Sequence, residues 1–111
     1  LKALTTKSNH IKKFNNLINK NHLYARKVLE NNSFFYFKKS YGGFFIFLKI
    51  LRKNVSSDKF CTQLLKKHNV AVTPGKYFGN NFDKYIRISL SQNYLIFKKA
   101  INLINLFTKK F

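Results

Sequence analysis

Apolar residues between residues 9 and 30 recur mostly every three, four or seven positions, which is the spacing of one face of an amphipathic helix. They are Ile11, Phe14, Ile18, Ala25, Val28 and Leu29. The polar residues Ser8 and Asn9 precede them and are typical of a helix N-terminus. Asn31 to Ser33 interrupt the pattern. The sequence therefore predicts one long helix from Asn9 to Glu30, preceded by a polar tail over residues 1–9.

Two apolar runs after this helix predict β-strands. The first, Phe34 to Phe37, is aromatic and short. The second, Phe44 to Leu51, shows no alternation of apolar and polar residues, which favours a strand covered on both faces. Between them, Lys38 to Gly43 form a predicted turn in which Gly42-Gly43 allow positive φ.

The third predicted segment is a shorter helix capped by Ser56 or Ser57, with Asp58 in its first turn. Its expected inner face consists of Phe60, Cys61, Leu64, Leu65 and His68. Asn69 ends this helix. A brief strand, Val70-Ala71-Val72, leads into a turn at Thr73-Pro74-Gly75, and residues 76–84 form a loop.

The last strand, Tyr85 to Leu90, alternates cleanly. Ile86, Ile88 and Leu90 face one side, which places Arg87 on the opposite side together with Tyr85 and Ser89. Ser91 or Asn93 caps a final helix, whose expected inner face is Ile96, Ala100, Ile101, Ile104 and Phe107.

The predicted order of elements is helix, strand, strand, helix, strand, strand, helix. This order indicates an α+β fold with two layers: a short sheet of about four strands packed against a long N-terminal helix, a middle helix and a C-terminal helix. The 111 residues read as a single domain, 1–111, because neither a repeat nor a linker divides them.

Charge complicates the assignment of function. The chain has 22 Lys and Arg against 3 Asp and Glu, a formal net charge of +19. Such a charge attracts nucleic acid or anionic membranes. The cations are spread along the whole chain rather than gathered in one stripe, however, and the joint abundance of Lys, Asn, Ile and Phe suggests compositional drift. A basic protein that binds nucleic acid or the ribosome is therefore an alternative function.

Other classes of site receive little support from the sequence. The longest apolar run is far shorter than the roughly 20 residues that cross a bilayer, so no membrane partner and a cytoplasmic location are expected. Cys61 lies on an apolar helix face and is expected to be a core residue. His10, His22 and His68 share no ligand spacing, so no metal site is predicted.

The segment from His68 to Ile104 resembles the C-terminal small domain of class I/II (fold-type I) pyridoxal-phosphate-dependent aminotransferases. Its matching pieces are Val70 to Gly75 (VAVTPG), Phe78-Gly79 and Tyr85 to Leu90 (YIRISL). Upstream, Gly42 to Leu48 (GGFFIFL) is similar to another strand of that family, with Ser40 where proline is usual and Phe47 where tryptophan is common. The resemblance covers about residues 10–108, and its specificity lies in the order and spacing of four pieces.

This resemblance implies a function and one site residue. In such enzymes the arginine of the last strand binds the substrate's α-carboxylate, which here is Arg87. A planar guanidinium suits that role because it can donate to both carboxylate oxygens at once. A solvated surface cation on an edge strand is the alternative interpretation of Arg87.

The resemblance also implies that the catalytic machinery lies elsewhere. The family's Schiff-base lysine, acidic partner and phosphate-binding residues belong to a large domain, which would precede residue 1. The chain is therefore expected to be a fragment or separately encoded small domain. Its expected partners are a large domain and, as substrate, an amino acid or 2-oxo acid. It is expected to bind no pyridoxal phosphate alone, to be inactive alone, and to meet nucleic acid only non-specifically. Residues 1–9 are then the remnant of an inter-domain connection, and a translated remnant without function is a further alternative.

Overall fold

The computed structural model describes residues 2–38 and 43–111, with side chains from residue 9 onward. Its helices are α1 (Lys2–Leu29), α2 (Ser57–His68) and α3 (Tyr94–Thr108), and its strands are β1 (Phe35–Lys38), β2 (Phe45–Ile50), β3 (Thr73–Pro74) and β4 (Tyr85–Ser89). Two short 3₁₀ turns, Gly75–Phe78 and Asn80–Phe82, connect β3 to β4. The predicted order of elements is confirmed. Gly42 and Ser40, part of the expected strand entry, lie outside the described residues.

The four strands form one antiparallel sheet in the order β1-β2-β4-β3. On one face of the sheet the side chains are buried against the helices: Phe35, Ile46, Leu48, Ile50, Ile86 and Ile88. The helices contribute buried residues such as Leu29, Phe60, Leu64, Ile101 and Phe107 to the same core. The alternate residues of β2 and β4 are half-buried or exposed, so the other face is open. This arrangement confirms the predicted two-layer α+β fold.

The prediction that β2 is covered on both faces is wrong. Ile46, Leu48 and Ile50 are buried, whereas Phe45 and Phe47 are half-buried and Lys49 is exposed. The aromatic residues hid the alternation because they are apolar yet lie on the open face. On that face Phe45 packs against the guanidinium of Arg87, and Phe47 contacts the ring of Phe78.

The short strand was expected at Val70-Ala71-Val72, but β3 is formed by Thr73–Pro74. Asn69 leaves α2 in a left-handed conformation (φ 56°), and the next three residues carry the chain across to the sheet. Val70 is buried on the way, and Ala71 is exposed. Pro74 is tolerated in the sheet because β3 is an edge strand.

Helix α1 begins at Lys2 rather than at Ser8 or Asn9. Its residues 9–16 are exposed, including Ile11 and Phe14 of the predicted apolar face, because the helix extends beyond the core. The assignment of residues 1–9 to an inter-domain connection stays a prediction.

The structure selects between the capping alternatives. Ser56 caps α2 and accepts a hydrogen bond from the backbone N–H of Lys59 at 3.1 Å. Asn93 caps α3 by accepting bonds from the N–H groups of Leu95 and Ile96. Ile96 was expected on the inner face of α3 but is 61% exposed, and Phe97 is buried instead. Leu65 of α2 is likewise exposed.

Helix α1 is joined to the end of the last strand by Asn21, which is fully buried. Its side-chain Nδ2 donates to the carbonyl oxygens of Leu90 and Gln92, both at 2.8 Å. This amide fixes the long helix against the segment between β4 and α3. In the described part of the chain, no helix is both long and apolar enough to cross a membrane.

Candidate substrate-binding site

Arg87 lies in the middle of β4, opposite Phe47 of β2 and Thr73 of β3. The predicted alternation is confirmed: Ile86 and Ile88 are buried against the helices, and Arg87 is half-buried on the open face. Because strands flank β4 on both sides, the edge-strand interpretation of Arg87 is wrong. Its backbone is held by the sheet, so its side chain starts from a fixed point.

Two phenylalanine rings contact the Arg87 guanidinium. Its Cζ atom lies 4.0 Å from the ring centroid of Phe45 and 4.5 Å from that of Phe78. Phe47 also contacts Phe78, with ring centroids 6.2 Å apart in an edge-to-face arrangement. The resemblance included Phe78 in its loop piece and Phe45 in its strand piece, but the sequence did not connect either ring to Arg87. The available signal was a pair of phenylalanines in β2, on the same face as Arg87 once the register is known.

The guanidinium charge is not neutralised by an acid within the described chain. Glu30 is paired with Arg26 at 2.9 Å, and Asp58 is paired with Lys76 at 3.1 Å. The remaining acid, Asp83, is exposed and lies within ion-pair distance of no described cation. A half-buried guanidinium on an aromatic surface is therefore available to an external carboxylate.

The loop before β4 places Phe78 against the Arg87 guanidinium. Gly75 is buried, and a side-chain Cβ there would overlap the carbonyl oxygens of Phe82 and Tyr85. Gly79, with φ 132°, then lets the chain reverse after Phe78. The ion pair between Lys76 and Asp58 connects the loop to α2. The loop predicted over residues 76–84 agrees with the two 3₁₀ turns that connect β3 to β4.

The other residues with reactive or titratable side chains lie elsewhere in the fold. Cys61 is buried, and burial, with a smaller effect of nearby Asp58, raises the pKa of its thiol to about 12. Burial and then Arg26 lower the pKa of His22, whose ring lies against Phe37. His68 packs edge-on against Phe107. Among the described residues, no group of His, Cys, Asp and Glu side chains could hold a metal ion.

The residues around Arg87 do not fit pyridoxal phosphate. That cofactor needs a carboxylate for its pyridinium nitrogen and a set of donors for its phosphate. Two of the chain's three acids are already ion-paired, and Asp83 is exposed in the loop. The neighbours of the guanidinium are aromatic rings.

The same architecture occurs in solved aminotransferase structures. The aromatic aminotransferase of Pyrococcus horikoshii superposes with a TM-score of 0.83 and 26% identity, over 92% of this chain and 27% of that one. The tyrosine aminotransferase of Leishmania infantum has the same fold, with a TM-score of 0.79 and 20% identity, over 89% of this chain and 25% of that one. The fold is thus that of an aminotransferase small domain.

Sequence comparison identifies the family. The family model for aminotransferase class I and II matches residues 1–95, so the chain belongs to that family. An aspartate aminotransferase of Pyrococcus horikoshii is 36% identical over 78 residues, which is 70% of this chain and 20% of the relative. The L-glutamine–4-(methylsulfanyl)-2-oxobutanoate aminotransferase of Bacillus subtilis is 38% identical over 72 residues, 62% of this chain and 18% of the relative. The chain spans about a fifth of the length of these curated relatives.

Proposed function

We propose that this chain is the small domain of a pyridoxal-phosphate-dependent aminotransferase and that Arg87 binds the α-carboxylate of the amino acid or 2-oxo acid. The observation that carries this proposal is the place of Arg87: a central strand, an open face, and no acid paired with it in the described chain. A guanidinium in this setting can donate two parallel hydrogen bonds to one carboxylate.

The remaining functions belong to a large domain, supplied within a longer chain or by a separate one. The large domain supplies the Schiff-base lysine, the cofactor's phosphate site and the acidic partner. The 111 residues alone are therefore inactive in amino-group transfer. In the complete enzyme, the open face of the sheet meets the large domain and excludes water from the substrate. A cytoplasmic location is part of the same proposal.

A chimeric enzyme tests this function. The matching segment of the Pyrococcus horikoshii aspartate aminotransferase is replaced by this chain, and transamination is measured with several amino acids. The chimera is expected to be active. Arg87→Lys keeps the charge but loses the bidentate geometry, so KM for the amino acid should rise at least about tenfold. Arg52→Lys, on the exposed segment after β2, is the matched control and should leave KM unchanged. A fully active Arg87→Lys chimera would contradict the proposal.

The alternative function is a basic protein that binds nucleic acid. Its support is the net charge of +19, which results from 22 Lys and Arg against only 3 Asp and Glu. A salt titration of binding to single-stranded RNA distinguishes the two proposals. Nanomolar affinity at physiological salt favours the alternative, whereas micromolar binding that disappears with added salt reflects charge alone.

A further inference from the structure

Arg87 has a long side chain, and a flexible guanidinium recognises a carboxylate poorly unless something fixes its plane. An arginine side chain loses rotamer entropy when it is immobilised, which lowers the affinity for its ligand. Acidic side chains and carbonyl groups commonly fix the plane of a guanidinium by accepting its hydrogen bonds. Within residues 9–38 and 43–111, however, no side-chain or backbone oxygen accepts a hydrogen bond from Arg87.

Two aromatic rings contact the Arg87 guanidinium instead of such acceptors. Phe45 and Phe78 lie 4.0 and 4.5 Å from Cζ of Arg87, well within the range of a cation–π interaction. Contacts through the flat faces of a guanidinium leave its N–H bonds unused, because those bonds lie in the plane of the group. A carboxylate in that plane can accept two of them.

The two rings come from different elements, and each is held in place. Phe45 belongs to β2, where it is paired in register with Ser89 of β4. Phe78 ends the 3₁₀ turn that begins at Gly75, and it also contacts Phe47. The close packing of Gly75 against the backbone of Phe82 and Tyr85 sets the path of this turn.

We propose that Phe45 and Phe78 are positioning residues, which hold the Arg87 guanidinium so that its N–H edge meets a carboxylate, and that the Gly75–Phe78 turn sets the second ring. This inference rests on the proposed carboxylate-binding role of Arg87. An acid in place of either ring would also hold the guanidinium, but it would compete with the substrate for the same N–H groups. Aromatic positioning avoids that competition.

Nuclear magnetic resonance of the ¹⁵N-labelled 111-residue chain tests the inference. The chain has three arginines, and Arg87→Gln identifies the Nε–Hε signal of Arg87 among them. Pyruvate, the simplest 2-oxo acid, is titrated at constant ionic strength. The Arg87 signal of the unsubstituted chain is expected to shift saturably, and the Arg26 and Arg52 signals are expected to stay.

Three variants separate positioning from general stability. Phe78→Leu removes the ring at a 39% exposed position and should weaken pyruvate binding roughly three- to tenfold. It should also move the Arg87 Nε–Hε signal before pyruvate is added, because the ring-current shift disappears. Phe78→Tyr keeps the ring and should retain the affinity. Phe82→Leu, in the same loop but with its ring edge-to-face against Tyr85, is the matched control and should retain both the affinity and the Arg87 signal.

Failure of the positioning role and failure of the carboxylate-binding role give different results in these variants. If Phe78→Leu and Phe45→Leu bind pyruvate as tightly as the unsubstituted chain while Arg87→Gln does not bind, the positioning role is overturned and the carboxylate role of Arg87 stands. If the backbone amide signals of the unsubstituted chain and of Arg87→Gln shift identically when pyruvate is added, the carboxylate role fails and the positioning role fails with it.

Discussion

Asn21 is the buried polar residue on which the position of α1 depends. Its amide is fully buried and donates to two backbone carbonyls, of Leu90 and Gln92, that follow the arginine-bearing strand. These carbonyls lie at the end of β4, where the chain leaves the sheet for α3. The amide therefore links the longest helix to the strand that carries Arg87.

Asn21→Leu should destabilise the fold by about 2–3 kcal/mol, because the buried bond to the Leu90 carbonyl and the partly buried bond to the Gln92 carbonyl both lose their donor. The free energy of unfolding in urea measures the effect. Asn16→Leu, at an exposed position of the same helix, is the control and should change that free energy by less than about 0.5 kcal/mol. Equal stability of the two variants would contradict this account of Asn21.

Cys61 illustrates a buried group whose environment opposes ionisation. Burial, with a smaller contribution from Asp58, raises the pKa of its thiol from 9.0 to about 12. The folded state therefore keeps its proton at pH values where the unfolded state has lost it. The contribution to stability is full below pH 9 and falls as pH rises from 9 towards 12.

Cys61→Ser provides the comparison, because serine does not titrate in this range. The loss of stability between pH 9 and pH 11 should be smaller in Cys61→Ser than in the unsubstituted chain, as measured by urea unfolding at each pH. The thiol should also react with iodoacetamide at pH 8 only as fast as the chain unfolds. Rapid alkylation of the folded chain would contradict the burial of this thiol.

At the scale of single residues, the sequence could predict the face of Arg87 but not its neighbours. The alternation of β4 identifies that face because a strand has a period of two. The rings of Phe45 and Phe78 approach Arg87 only through strand register and loop path. Those depend on contacts between distant segments, which a local pattern does not contain.

At the scale of the structural elements, the Gly75–Phe78 turn has no space for a side chain at its first residue. A Cβ at Gly75 would overlap two backbone oxygens and the side chain of Tyr85. The backbone would have to move, and Phe78 at the end of the turn would move with it.

Gly75→Ala should therefore destabilise the chain by about 1–3 kcal/mol and shift the Arg87 Nε–Hε resonance. Gly43→Ala is the comparison: residue 43 has φ 94°, so it is strained by a side chain, but a Cβ there has no neighbour within 4 Å. It should cost about 1–2 kcal/mol without moving the Arg87 resonance. An unshifted Arg87 signal in Gly75→Ala would exclude the proposed link between turn and guanidinium.

Element types could be predicted well where local chemistry decides them. Ser56, Asn69 and Asn93 bond to the helix ends or adopt the left-handed conformation there, so α2 and the start of α3 could be located. The failures arose where tertiary context decides. Phe45 and Phe47 looked like core, and β3 depends on pairing with β4 rather than on the propensity of Val70 to Val72.

For the molecule as a whole, the excess of cations over anions dominates the electrostatics. With a net charge of +19 on 111 residues, repulsion destabilises the compact state, and salt screens it. The melting temperature should rise by about 5 °C or more between 20 and 300 mM NaCl. Sucrose at matched osmolality is the control for exclusion effects. A melting temperature that is constant or falls with salt would show that the charges are already balanced.

Recognition of the substrate carboxylate by the guanidinium of Arg87 is tested most directly by comparing two substrates in the chimeric enzyme. The measurement is the ratio of kcat/KM for an amino acid to that for its carboxamide, in the chimera and in its Arg87→Gln variant. A carboxylate held by two charged hydrogen bonds predicts a ratio of about 100 or more, which falls by most of that factor in the variant. An unchanged ratio would contradict the claim that Arg87 binds the carboxylate.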